Sequence, residues 1–254
     1  MNGDFLALLP KNPFTQVPAV SAGAPPLIQA TTVFAFQCAE GVIIAGDHRA
    51  TAGNTVFSDK TEKILELDSH SLMAIAGVPA TAFEMARTLQ TTFEFYRRSQ
   101  LQAMSLDAKI RALSKLLRDN LAATLQGFGI VAPIFAGVET NDPEAKPAIY
   151  FYDPLGAQFE AAEFAGSGSG SGSIKSVLHF LQKWGKPRPA EMSLAQATTL
   201  ANRLLMTAAE FDTATGGVHP DRQLFATIKL LSREGIRTIS LGEQERCWLE
   251  AAHD

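Results

Sequence analysis

A threonine pair, Thr31-Thr32, stands directly before the run Val33 to Asp47, VFAFQCAEGVIIAGD. Asp47 lies sixteen residues after Thr31, and Lys63 thirty-two after it. A hydroxyl, a carboxylate and an amine so placed could form one nucleophilic site. A threonine hydroxyl is a weak nucleophile near neutral pH and needs a base. A free α-amine, with a reference pKa of ~7.7–8.0, suits that task. In the intact chain the nitrogen of Thr31 is an amide and cannot take a proton. The chemistry therefore requires a cut between Ala30 and Thr31, with residues 1–30 as a removable segment and Thr31 as both nucleophile and base.

The elements that must hold these groups read first as strands. Thr32–Gln37 and Gly41–Gly46 are apolar and β-branched, separated by Cys38-Ala39-Glu40, which reads as a hairpin. Thr55–Ser58 and Lys63–Leu67 follow, with Gly53-Asn54 as turn residues, and Ser71–Ala76 is closed by Gly77. The period then changes. Ala80, Phe83, Arg87, Gln90 and Phe93 lie along a helix that Pro79 can start. Leu106, Ile110, Leu113, Leu117, Leu121 and Leu125 form one helical stripe, ended by Gly127 and Gly129. Strands are expected again at Ile130–Val138, Ala148–Tyr152 and Gln158–Phe164, with a hairpin turn at Asp153-Pro154-Leu155-Gly156. Two more helical patterns run through Ile174–Leu181 and Leu194–Phe211. Strands at Gln223–Leu231 and Thr238–Leu241 are expected to close the chain. Blocks of strands and helices, segregated rather than alternating, predict an α+β layered fold.

Gly166 to Ser173 is a strict Gly-Ser alternation. By composition it is a flexible linker. Its neighbours, a strand pattern before and a helical pattern after, instead favour a strand-to-helix turn that offers bare N–H groups and hydroxyls.

Composition narrows the function. The 254 residues are 46% apolar and 19% charged with a net charge of −4, ordinary for a filled globular core. No block of like charge argues for nucleic acid or a membrane surface. No apolar run approaches the ~20 residues needed to span a bilayer. The two cysteines, Cys38 and Cys247, provide neither a disulfide framework nor metal spacing, which fits a cytoplasmic location. His48, His70, His179, His219 and His253 show no ligand spacing. No HExxH, P-loop or dinucleotide fingerprint is present, so neither metal nor cofactor is expected. Residues 1–30 carry Pro10, Pro13, Pro18, Pro25 and Pro26, and read either as a disordered tail or as a pro-segment. The run Phe5–Leu9 is too short for a signal-peptide apolar region.

Taken together, TTVFAFQCAEGVIIAGDHRATAGN, Lys63, MAIAG ending at Gly77, AGSGS, and DTATGG at 212–217 resemble a proteasome β-subunit. The likeness covers almost all of residues 31–254 and is closer still to the proteasome-like β homologues of bacteria that carry no separate α-subunit. The resemblance implies the N-terminal nucleophile hydrolase fold: a four-layer αββα sandwich of two antiparallel sheets between helix pairs. It implies a propeptide at 1–30, one peptidase domain at 31–254, and self-cleavage by attack of Thr31 on the carbonyl of Ala30. It also implies roles. Lys63 lowers the pKa of the hydroxyl, with Asp47 as its orienting partner. The N–H of Gly77 serves the oxyanion, and Ser167, Asp212 and Thr215 bond around the terminal amine. The Gly-Ser repeat also permits Ser169 in place of Ser167.

The positions that match the family's pocket wall, Ala50, Thr61, Ile75, Pro79 and Phe83, are small or apolar, so cleavage after apolar residues is expected. The resemblance further implies a homo-oligomer of stacked rings that acts on peptides or unfolded proteins, with a separate ATPase unfoldase to feed it. One departure stands out. The family usually has glycine before the nucleophile, where this chain has Ala30, and glycine relaxes a tight turn there. Two alternatives follow: an uncut, non-catalytic ring subunit, or another N-terminal nucleophile hydrolase acting on a small amide.

Overall fold

A computed structural model describes residues 31–52 and 55–251. The expected propeptide with Ala30, the turn residues Gly53-Asn54, and His253 lie outside these.

Two five-stranded antiparallel sheets form the centre. In the first, β1 (Thr32–Cys38) pairs with β2 (Gly41–Gly46) on one side and β10 (Phe164–Gly168) on the other; β11 (Thr227–Ser232) joins β2, and β12 (Gly235–Thr238) completes the edge. The second runs β5 (Ile64–Asp68), β6 (Ser71–Ala74), β7 (Ile134–Gly137), β8 (Ala148–Tyr152), β9 (Gln158–Ala161). A separate hairpin joins β3 (Ala50–Ala52) to β4 (Thr55–Ser58).

Strand periodicity explains the layers, because successive side chains point to opposite faces. Along β1, Val33 and Ala35 face the second sheet, while Phe34 and Phe36 face helices. Both faces are covered, so the middle of the strand, Val33–Phe36, is apolar on both. The outer helices on that side are α4 (Ser171–Trp184) and α5 (Leu194–Phe211), whose Ile174, Leu178, Ala201, Leu204 and Ala208 meet the two phenylalanines. On the far side α1 (Pro79–Gln100) and α2 (Leu106–Asp119) cover the second sheet through Leu89, Phe93, Leu113 and Leu117. Three buried layers between four structural layers make the expected αββα sandwich.

Five local expectations need correction. The single stripe at Leu106–Leu125 is two helices: α2 ends at Asp119, and a short α3 (Leu121–Leu125) follows Asn120. Asn120 turns its amide onto the carbonyl of Gly129, which favours a cap over helix continuation. The run Ile130–Val138 is strand only over β7, because Pro133 lies inside it and cannot donate to a ladder. Gln158–Phe164 splits into β9 and β10, which belong to different sheets. Gln223–Leu231 becomes strand only from Thr227, since His219–Leu224 closes a tight turn first. The last strand is Gly235–Thr238, not Thr238–Leu241. Leu241 instead opens α6 (Leu241–Glu250), capped reciprocally by Ser240 and Glu243.

Among the described residues no helix is long and apolar enough to cross a membrane, and no group of His, Cys, Asp and Glu is arranged to hold a metal.

Candidate active site

Thr31 immediately precedes β1 and is 4% exposed. Its carbonyl accepts the N–H of Ser169 at 3.1 Å. The approach is tighter still at the neighbouring residue: a Cβ on Gly168 would sit 1.8 Å from the Thr31 oxygen, and Gly168 has φ +93°. Only glycine fits there. The Gly-Ser run is therefore ordered. Its first residues finish β10, with Gly168 opposite Thr32. Ser169-Gly170 makes the turn, and Ser171 starts α4.

Asp47 follows β2 and is 2% exposed. Its Oδ1 accepts the N–H of Thr32 at 2.9 Å and the ammonium of Lys63 at 2.7 Å. Its Oδ2 accepts the N–H groups of Arg49 at 2.9 Å and Gly216 at 2.8 Å. One carboxylate thus joins the start of β1, Lys63 and the 212–217 loop. Lys63 is 1% exposed and also donates to the carbonyl of Arg49. Burial pulls its ammonium below the ordinary lysine range, and the Asp47 charge opposes part of that fall. The Arg49 guanidinium reaches Asp59 at 2.9 Å and the carbonyl of Thr213 at 3.3 Å, tying the loop before β5 to the loop after α5.

Asp212 ends α5. Its Oδ2 accepts hydroxyl protons from Ser169 and Thr215, both at 2.6 Å, and its Oδ1 accepts the Ala214 N–H at 3.1 Å. Partial burial raises its carboxyl, but these donors and the Lys63 charge outweigh that and hold it below the usual carboxylate range. Of the two serines the repeat left open, Ser169 is the one on Asp212. Ser167 donates instead to the carbonyl of Ala132 at 2.6 Å. The contact with Asp212 is thus made two positions after Ser167, at the other serine the repeat permitted. The cause is the register of β10, which turns Ser167 toward the second sheet.

Gly77 follows β6, and its neighbours in the chain are bonded to the Lys63 and Ala132 backbones. The N–H of Ile75 bonds to the carbonyl of Lys63 at 2.9 Å, and the N–H of Ala132 bonds to the carbonyl of Ala76 at 2.9 Å. Gly77 itself bridges to Val131, and at φ +112° a Cβ would meet the Ile130 oxygen at 2.1 Å. Of the five pocket positions, Ala50 and Ile75 are buried, and Thr61, Pro79 and Phe83 are half-buried. Ile75 packs into the layer under α1 and α2, and Phe83 lies against the same cluster. Sequence reasoning missed Thr32, Gly170 and Gly216, which contribute through backbone groups or through partners remote in sequence. It also missed the Arg49 side chain.

Two antiparallel sheets between helix pairs, with a threonine at the head of the first strand, define the N-terminal nucleophile hydrolase fold. The family model described as Proteasome subunit matches residues 28–219. A proteasome subunit beta of Stackebrandtia nassauensis is 36% identical over 217 residues, which is 85% of this chain and 75% of that one. A proteasome subunit beta 2 of Thermomonospora curvata is 37% identical over 233 residues, 92% of this chain and 79% of that one. A proteasome subunit beta of Acidimicrobium ferrooxidans is 34% identical over 249 residues, 97% and 88%. The chain belongs to the proteasome subunit family.

Proposed function

We propose that the chain is a self-processing threonine endopeptidase of a proteasome-like ring. The observation that carries this reading is the Asp47 carboxylate, which bonds the buried Lys63 ammonium and the N–H of Thr32, the residue joined to Thr31. In the intact chain the Thr31 hydroxyl attacks the carbonyl carbon of Ala30. The C–N bond breaks as an ester forms, the hydroxyl proton passing to the nitrogen and freeing the Thr31 amine; water then hydrolyses the ester, releasing residues 1–30 as a carboxylate at Ala30 and restoring the Thr31 hydroxyl. In each later turnover that amine takes the hydroxyl proton as oxygen attacks a peptide carbonyl. Lys63 favours the developing alkoxide by its charge. The Gly77 N–H faces the oxyanion; losing such a donor typically costs about 10²–10³ in rate. Asp212, with Ser169 and Thr215, orients the amine. Ser167 supports the second sheet.

None of the five positions Ala50, Thr61, Ile75, Pro79 and Phe83 carries a charged side chain, which favours cleavage after apolar residues. Relatives named as proteasome β-subunits favour assembly in stacked rings; unfolded proteins or peptides as substrates and an ATPase as feeder complete the proposal. A cytoplasmic location fits that role. Ala30 in place of glycine supports one second reading, an uncut structural subunit. Intact mass separates the two: loss of residues 1–30 is expected of the enzyme, and a full-length mature ring refutes it. Peptide hydrolysis should vanish in Thr31→Ala. Retained turnover there would sink the mechanism.

A further inference from the structure

The second threonine of the pair is fully buried, and its hydroxyl has two partners. Thr32 Oγ1 lies 2.6 Å from Thr215 Oγ1 and accepts the N–H of Gly170 at 3.0 Å. Proton counting settles the direction of every bond. A hydroxyl has one proton to give, and an ionised carboxylate can only accept. Thr215 spends its proton on Asp212 Oδ2, so toward Thr32 it can only accept. Thr32 must then donate to Thr215, which leaves its lone pairs for Gly170. The order runs from the Gly170 N–H through Thr32 and Thr215 to Asp212, where the Ser169 hydroxyl arrives from the other side. Bonds aligned this way polarise one another in a low-dielectric interior.

We propose that Thr32 is a positioning residue for peptide hydrolysis, acting through Thr215 on Asp212. By donating to Thr215 it removes the other orientation of that hydroxyl and commits its proton to Asp212. This rests on the reading above, in which Asp212 orients the Thr31 amine. Thr32 touches no substrate, so its effect belongs in kcat.

The test is a double-mutant cycle of Thr32→Val and Thr215→Val in the assembled, processed protein, with Thr32→Ser as the conservative variant and an apolar fluorogenic peptide as substrate. Each valine substitution should lower kcat by about tenfold or more, as expected for losing a hydrogen bond that serves a charged group. KM should stay within about twofold, because the chain makes no uniform binding contact. The double variant should be little worse than the poorer single one, since both cut the same chain. Thr32→Ser should recover kcat to within about threefold, because the donor is kept. If Thr32→Val does not assemble, Thr32→Cys replaces it, its thiol being a weak donor, and the same loss is expected.

Wild-type kcat in Thr32→Val or Thr32→Cys, losses that multiply in the double variant, or a serine variant no better than valine each overturns the proposal. A wild type without turnover, or turnover surviving in Thr31→Ala, instead overturns the reading on which it rests.

Discussion

Asp47 and Lys63 are one ion pair, but their removal should not cost the same. Asp47 accepts three backbone N–H bonds, from Thr32, Arg49 and Gly216, besides the lysine. Lys63 has the Asp47 carboxylate and the Arg49 carbonyl. Lys63→Met therefore leaves a carboxylate that is still solvated by main-chain donors, and should cost about 1–3 kcal/mol. Asp47→Ala leaves a buried ammonium without its counter-charge and three N–H groups without an acceptor, and should cost about 3–5 kcal/mol. At about 2–4 °C per kcal/mol for a chain of this size, Asp47→Ala should melt roughly 10 °C below wild type and Lys63→Met about half as far below.

The assay is thermal unfolding at fixed subunit concentration, since assembly shifts the midpoint. pH provides a second arm. Without Asp47 the folded pKa of Lys63 falls further, while the unfolded value stays near ~10.4. Between those two values the unfolded chain binds more protons, so stability rises with pH. The Asp47→Ala deficit should therefore narrow from pH 7 toward 9. Equal costs for the two variants, or a deficit independent of pH, would refute the reasoning.

Asp212 carries a depressed carboxyl, so its contribution to stability is present above the ordinary carboxylate range and is lost as pH falls through the folded value. Asp212→Asn should be less stable than wild type near neutrality, and the gap should close in acid denaturation curves. Gly170→Ala would place a Cβ 2.4 Å from Thr215 Oγ1 and 2.7 Å from Thr32 Oγ1. Peptide turnover should drop by about tenfold or more as that hydrogen-bond chain parts. Gly172→Ala, with nothing within 4 Å of its Cβ, should leave turnover unchanged and raise stability by up to about 1 kcal/mol, read from the melting midpoint.

The layers were legible because each rests on a local period: Val33 and Ala35 against Phe34 and Phe36, or the leucine stripe of α2. The pairing of Asp47 with Lys63 was legible through the spacing of a known family. What the sequence hid depends on register or on distant partners. Ser167 and Ser169 sit in identical Gly-Ser surroundings, and only the pairing of Gly168 with Thr32 separates them. The partners of the Thr32 hydroxyl are 138 and 183 residues away. The crossing between β9 and β10 falls at Ala162-Glu163, where no turn residue marks it. The α6 cap was written in Ser240-Leu241-Gly242-Glu243, but the apolar residues before it drew the reading toward a strand.

Chain ends ordinarily fray, because nothing on one side restrains them. Residue 31 differs. Its carbonyl is stapled to the Ser169 amide, and the next N–H is held by Asp47. A cut before Thr31 would thus create an end that is anchored from birth. Everything upstream would leave, while the new terminus would keep the place the uncut chain had already assigned it. The ordering cost of a mobile terminus would fall on folding rather than on each round of catalysis.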